Sequence, residues 1–403
     1  MTQPSGSEIA TPSAAEVPTF SLLLGGPLFQ FYRRMHLTGN GLELVRRRVV
    51  AITLFVWLPL LILSALEGHA LGGAVAVPFL HDIEMNVRFL VALPVLIVAE
   101  VLVNVELALP VRQFMERRIV APEDMPRFRA AVTSALRARN SVVLELSLLV
   151  LVYTVGLWFW RSQIALGAST WYAWPEATHL RLRAAGYWYA YVSIPIFQFI
   201  LLRWYMHLVL WFRLLWHVSR LNLRLSVAHP DRAGGIGFLA KTSYAFGPIL
   251  FAQGALLAGV LASRILFEGQ TLKSLMPEAA GFVGFYVVFI LGPLLMFSPM
   301  LARVRRQGAA DYGLLAYRYV SGFEDKWIRG GVPEASRLLG SVDLQALGDL
   351  GNSYSVVQQM RTLVFQPRDI VRLAITTAAP LLPLALTMFS LEDLVIRVIK
   401  IIM

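Results

Sequence analysis

The chain contains no cysteine, which rules out disulfides, thiolate catalysis, cysteine-ligated zinc and iron–sulfur clusters together. Charge is also scarce. Asp, Glu, Lys and Arg supply 15% of the 403 residues, where soluble domains carry roughly 25%. Acid is the rarer sign: 25 Asp and Glu stand against 36 Lys and Arg, leaving a net charge of +11. Such an excess can serve nucleic acid, anionic lipid or membrane topology. No nucleic-acid recognition motif accompanies it, and its arginines flank apolar runs, so nucleic acid is not an expected partner. Anionic head groups are. The opening residues MTQPSGSEIATPSAAEVPTF have neither a basic region nor an apolar core. They do not read as a signal peptide, and residues 1–19 have the composition of a disordered cytosolic tail.

What fills the rest is hydrocarbon. Hydrophobic residues make up 57% of the chain and mean hydropathy is +0.62. A membrane-crossing helix takes about 20 mainly apolar residues, because no water is present to satisfy its backbone. Six runs meet that demand: Val49–Leu66, Val87–Leu107, Ser141–Trp160, Tyr187–Trp216, Tyr244–Ile265 and Ala280–Leu301. A seventh, Ile370–Phe389, is interrupted by Pro380 and Pro383, and reads as a span or as an interfacial helix leading to the amphipathic end LEDLVIRVIKIIM. The expected fold is therefore an all-α polytopic transmembrane bundle. Its parts are an interfacial basic segment (20–48), the bundle (49–301), a cytosolic helical segment (302–369) and a terminal span or re-entrant piece (370–403).

Arginine placement gives the orientation. Arg46, Arg47 and Arg48 precede the first run, the connection after it has no Lys or Arg, and the next holds Arg112, Arg117, Arg118, Arg127, Arg129, Arg137 and Arg139. The alternation puts the N-terminus in the cytosol and the protein in a plasma (inner) membrane. The three arginines of the connection RSQIALGASTWYAWPEATHLRLRAAG oppose it. Trp158, Trp160, Trp171, Trp174 and Trp188 mark an aromatic belt at the outer interface. In the cytosolic segment, Leu344, Leu347, Leu350, Tyr354, Val357 and Met360 recur at helical steps, with Gly348 and Gly351 expected to weaken that helix. It would pack under the bundle or against a second subunit, which makes a homo-oligomer an expectation.

Ionisable groups in a span are costly and point to function by default. Glu100, Glu145, Arg203 and His207 lie within runs, and Asn104 shares a helix face with Glu100. Counting 1.5 Å per residue brings all five to comparable depth in the inner half, as one polar cluster. It reads either as a path for an ion or small solute or as an ion-pair network fixing helix register. Glu106, Arg88, Arg213 and Arg264 complete the charged set, the three arginines near predicted ends, where they can snorkel.

The most distinctive loop is SVAHPDRAGGIGFLAKTS. His229, Asp231, Arg232 and Lys241 surround Gly234, Gly235 and Gly237. Glycine permits close backbone approach, and such a loop before a helix can offer N–H groups to a phosphate or carboxylate. It is not GxGxxG and follows no strand, so no dinucleotide is expected. His229–Pro230–Asp231 is similar to the tripeptide of J-domain co-chaperones, over three residues only. The loop is therefore a candidate gate or anion contact at the cytosolic mouth. Outside, His69, His81, Asp82, Glu84 and His179 lack the spacing of a zinc motif, so no metal or cofactor is expected. Gly292 and Pro293 form the best hinge candidate. Three functions fit: a channel or carrier; an enzyme on a lipid or lipid-linked substrate with His229 as base; or a signalling or assembly subunit.

Overall fold

The computed structural model describes residues 42–72, 75–163, 170–174, 181–329 and 342–388. The N-terminal tail, the interfacial segment as far as residue 41, His179 and the amphipathic end lie outside the described residues. Among those described there is no strand, only isolated bridges. Seven helices are long and apolar enough to cross a bilayer. The chain is an all-α polytopic helical bundle and an integral membrane protein.

Helix α1 spans Leu42–Leu66 and α2 covers Ile83–Glu116, with one wider turn at Arg88–Ala92. A short α3, Met125–Arg139, lies between α2 and α4, Val142–Trp160. Helix α5 covers Ala184–Val218, α6 Phe238–Ala245 and α7 Gly247–Phe267. Helix α8, Leu272–Leu291, passes through a 3₁₀ segment at Gly292–Phe297 into α9, Ser298–Trp327. Helix α10, Val342–Gln358, folds back on α9, and α11, Pro367–Ala378, tightens to 3₁₀ over Ala379–Met388. The proline-interrupted seventh run thus becomes a helical rod of crossing length. Proline there removes N–H donors, and the tighter turn takes up the change.

Lipid-facing stripes follow from sequence. Helix α4 leaves Val143, Leu146, Val150, Val155 and Trp158 exposed, the normal state of an outer helix in hydrocarbon. Helix α7 is the opposite case, packed by α2, α8 and α11, with Ile249, Leu250, Ala252 and Leu261 buried. Small residues make this crowding feasible. A Cβ on Gly254 would collide with the Thr377 backbone carbonyl, whereas Gly281 and Gly284 face open space. Helix starts are capped where sequence provides oxygen: Ser141 accepts from the Leu144 N–H at 3.3 Å, Thr271 from Ser274 at 3.3 Å and Asp82 from Met85 at 3.0 Å.

The helix over 342–358 forms through Gly348 and Gly351. Contact with α9 outweighs their low propensity: Asp343 accepts from Trp327 Nε1 at 3.1 Å, and its backbone carbonyl accepts from Tyr319 at 2.9 Å. The Lys326 ammonium beside Asp343 holds its carboxyl below the usual carboxylate range. Gly292 and Pro293 sit where α-helical geometry gives way to 3₁₀, so the hinge candidate coincides with a real change of helix type.

Candidate functional site

Two polar centres occupy the half of the molecule that the arginines assign to the cytosol. The first is the intramembrane cluster. Arg48 Nη2 lies 2.8 Å from Glu100 Oε2, and Arg203 Nη1 donates to Glu100 Oε1 at 2.7 Å. Arg203 Nε is 3.5 Å from Glu145 Oε1. Helices α1, α2, α4 and α5 are thereby tied by alternating charge. The side chains of Arg48 and Arg203 are 5% and 4% exposed, and that of Glu100 is 13%. Arg48 also donates to the Ile97 carbonyl at 3.1 Å. Such pairing is what charge in a low-dielectric setting demands.

The structure brings Glu100, Glu145 and Arg203 together and adds Arg48, which sequence reading placed among the basic flank. His207 is buried one turn from Arg203, edge-on to Trp204 at 6.0 Å, and its Nε2 has no hydrogen-bond partner among the described residues. Asn104 is half-buried one turn along α2 from Glu100. Glu106, two residues past Asn104, is exposed and borders a groove that Lys241 and Arg372 also line. Arg213 donates to Ser134 at 2.8 Å and Arg264 pairs with Glu278 at 2.8 Å, as end-of-helix arginines do.

The second centre is a cavity of about 1140 Å³ where α2 ends, α6 begins and α11 starts. Its wall carries six cationic side chains, Arg117, Arg232, Lys241, Arg361, Arg368 and Arg372, against the carboxylates of Asp231 and Asp369. The loop that sequence singled out forms one side. Arg232, Gly234 and Gly235 have φ of 54°, 68° and 94°, left-handed values that glycine tolerates and arginine seldom adopts. The strain is held by Asp231. Its Oδ1 accepts from the N–H of Ala233 at 2.8 Å and Gly235 at 3.1 Å, and its Oδ2 from Gly237 at 2.8 Å.

That arrangement corrects an expectation. The glycine loop does not offer its N–H groups at Ala233, Gly235 and Gly237 to an external anion, because Asp231 has already taken them. Burial opposes the Asp231 anion, but these three donors and nearby His229 more than offset it, and the carboxyl is held below its ordinary range. The Asp231 backbone carbonyl accepts from Arg361 Nη2 at 2.9 Å, and the Arg232 carbonyl from the Arg361 N–H at 2.7 Å. The loop is therefore a brace that fixes Arg361, and the side chains do the electrostatic work.

Asp369 is likewise occupied. It accepts from the Tyr244 hydroxyl and, at 2.6 Å, from the Gln366 N–H in a capping box at the start of α11. The Arg372 guanidinium stacks over the Tyr244 ring at 4.1 Å and Arg117 over Phe238 at 5.5 Å. His229 Nδ1 lies 2.9 Å from Asp231 Oδ1, with 35% of its side chain exposed. It is the accessible group in the wall suited to moving a proton.

Lys241, Tyr244 and Arg372 also border a lipid-facing groove walled by Val101, Leu102 and Val105. Leu102 and Val105 are 51% and 59% exposed. A basic chamber thus shares a wall with an apolar furrow. Sequence reading found His229, Asp231, Arg232 and Lys241 but missed Arg361, Arg368 and Arg372, which lie 130 or more positions beyond Asp231. The one local signal was the pair Arg368 and Arg372, one turn apart at the start of an apolar helix.

At the end of the bundle opposite the arginine-rich half, His69 Nε2 lies 2.7 Å from Arg183 Nη1, Asp82 accepts from Trp171 Nε1 at 2.9 Å, and Glu84 pairs with Arg88. No group of three metal-ligand types stands together among the described residues. Comparison with protein-family models, curated proteins and solved structures finds no match to this chain.

Proposed function

We propose that the protein binds an anionic, phosphate-bearing amphiphile, a lipid or lipid-linked substrate, in the basic cavity at its cytosolic face. The observation that carries this reading is the shared wall: the residues that give the chamber its positive charge, Lys241 and Arg372, also edge the groove in which Leu102 and Val105 meet hydrocarbon. A soluble anion would use the chamber alone. A lipid phosphate uses both, with head group among the arginines and chains along α2. Guanidinium suits phosphate because its donors match two oxygens at once. His229, seated against Asp231, gives the chamber a group able to take a proton from a bound head group or from water, so the same site accommodates catalysis on such a substrate.

The test is binding by the purified full chain in phosphatidylcholine nanodiscs titrated with phosphatidic acid. Saturable binding that falls with salt and weakens on Arg361→Gln and Arg372→Gln supports the reading. Equal affinity for phosphatidylcholine and phosphatidic acid would sink it.

Passage of an ion or small solute is the second reading, favoured by the charges of Glu100, Arg203 and Glu145 inside the bundle. Proteoliposome flux that responds to Glu100 or His207 substitution, without loss of folded protein, would place transport first.

A further inference from the structure

Three wide turns interrupt three different spans near the outer end: Arg88–Ala92 in α2, Val152–Gly156 in α4 and Tyr189–Ser193 in α5. Each ends on a bond from an N–H to the carbonyl five residues back: Leu93 to Arg88, Leu157 to Val152 and Ile194 to Tyr189. Such π-turns are rare and concentrate at functional sites. Two have a local cause, since Pro94 and Pro195 follow immediately and remove a donor from the ordinary ladder. The turn in α4 has no such proline.

Residues from these turns, or within about one turn of them, wall one cavity of about 450 Å³, a volume typical of small-molecule sites. It lies at the opposite end of the bundle from the basic chamber and has the opposite character. Asp82 and Glu84 bring two carboxylates, and Arg88 is its one guanidinium among the described residues. Arg88 is engaged, pairing with Glu84 and donating to the Tyr189 hydroxyl at 2.8 Å. The side walls are aromatic: the rings of Trp160, Tyr172 and Tyr189 have centroids 5.5 to 6.4 Å apart, and Phe159 and Phe197 complete the lining. Burial pushes the Tyr172 hydroxyl up to about 12, so its ring enters as a neutral, electron-rich face.

Gln198 supplies the last feature. Its Nε2 reaches the Gly156 carbonyl of the α4 turn at 3.4 Å, while its Oε1 is buried with no hydrogen-bond partner among the described residues. A buried acceptor left without a donor is costly, and this one lies against Gly156 at the cavity wall. An anion would meet two carboxylates here, and an apolar guest would leave Gln198 unsatisfied. A cation bearing N–H groups satisfies all three features, because aromatic faces attract cations as well.

We propose that this outer cavity is a binding site for an organic ammonium cation, with Glu84 balancing its charge, Gln198 Oε1 accepting one of its N–H groups and the Trp160, Tyr172 and Tyr189 rings enclosing its apolar part. Arg88 is a positioning residue that holds Glu84 and Tyr189.

The test uses the purified full chain in detergent and calorimetric titration with benzylammonium, benzyltrimethylammonium and benzenesulfonate. Both cations bind saturably and the sulfonate does not. Glu84→Gln weakens both cations about tenfold or more, the scale of one lost contact to a charged group. Gln198→Leu weakens benzylammonium and spares benzyltrimethylammonium, which has no N–H to donate, a difference that mere structural damage would not produce. Asp311→Asn, exposed on α9 and outside both cavities, leaves all three unchanged. Sulfonate binding as tight as the cations overturns the proposal. So does equal loss of both cations on Gln198→Leu, or absence of saturable cation binding below about 10 mM in folded protein.

Discussion

Glu100→Gln is the perturbation that distinguishes a brace from a path. Glu100 is shared by two guanidiniums at 2.7 and 2.8 Å, each on a side chain no more than 5% exposed. Removing its charge leaves both arginines buried, with Glu145 at 3.5 Å from Arg203 as residual compensation. Loss of one partner from a buried ion pair costs about 3–5 kcal/mol, mainly because the surviving charge stays desolvated. Glu145 places the expected cost toward the lower end, about 3 kcal/mol. Replacing Arg203 by Met in the same chain removes one stranded charge, so the double variant recovers part of the loss, with a coupling of about 1–3 kcal/mol. Unfolding in mixed micelles with rising dodecyl sulfate, followed by circular dichroism, measures both quantities. A Glu100→Gln protein within about 1 kcal/mol of the parent, or strictly additive single and double variants, would refute the brace. If stability were unchanged and liposome flux altered, the cluster would belong to a transport path.

Arg372→Gln removes a guanidinium common to the chamber and the groove, and phosphatidic acid affinity in nanodiscs falls about tenfold, the scale of one charge-assisted contact, with thermal stability little changed. Gly254→Ala drives a Cβ into the Thr377 carbonyl and lowers unfolding free energy by about 1–3 kcal/mol or more, whereas Gly281→Ala, in open space, is neutral or slightly stabilising in the same assay. Asp231→Asn returns Ala233, Gly235 and Gly237 to weaker acceptors, loosening the loop and lengthening the reach of Arg361; faster amide exchange at 233–237 reports it. Because the folded-state pKa of Asp231 is depressed, its stabilising effect is complete above the ordinary aspartate value of 3.8 and is lost as pH falls through the lower folded value. Loop protection in the parent is therefore flat from pH 5 to 8 and collapses only in strong acid, and a loss near pH 6 would exclude Asp231 as the brace.

How much of this was legible in the chain depends on which solvent wrote the signal. The bilayer demands long apolar runs, so six spans stood out; the proline-broken seventh reads from sequence as a span or an interfacial helix, and only the structure gives it a helix of crossing length. The bilayer imposes nothing on helix beyond its boundary, and the continuation of α2 to Glu116 and of α8 into α9 carried no comparable mark. Charges inside runs are conspicuous for the same reason, which is why Glu100, Glu145 and Arg203 were found by hydropathy and depth alone. Arg48 was not, because an arginine at the edge of an apolar run looks like topology, and only the fold turns it inward to Glu100.

The glycine loop shows the limit of reading backbone freedom without its local competitors. Glycines at 234, 235 and 237 do free N–H groups, but an aspartate a few residues upstream is the nearest acceptor, and short polar side chains capture neighbouring backbone donors readily. Local capture is entropically cheaper than binding a solute, so Asp231 should outrank any phosphate for those donors in this pattern. What it leaves over is a rigid turn with Arg361 fastened beneath it, more than a hundred residues away in sequence. The basic chamber is thus a tertiary product: arginines that look like three separate topology signals, after α2, before α7 and at the start of α11, converge because those three connections share one end of the bundle. Convergence of that kind concentrates positive charge in the chamber at one end of the bundle, whereas the cavity at the opposite end is lined, among the described residues, by two carboxylates and one arginine. The two cavities differ in sign because the rule that threads the helices also sorts the charge.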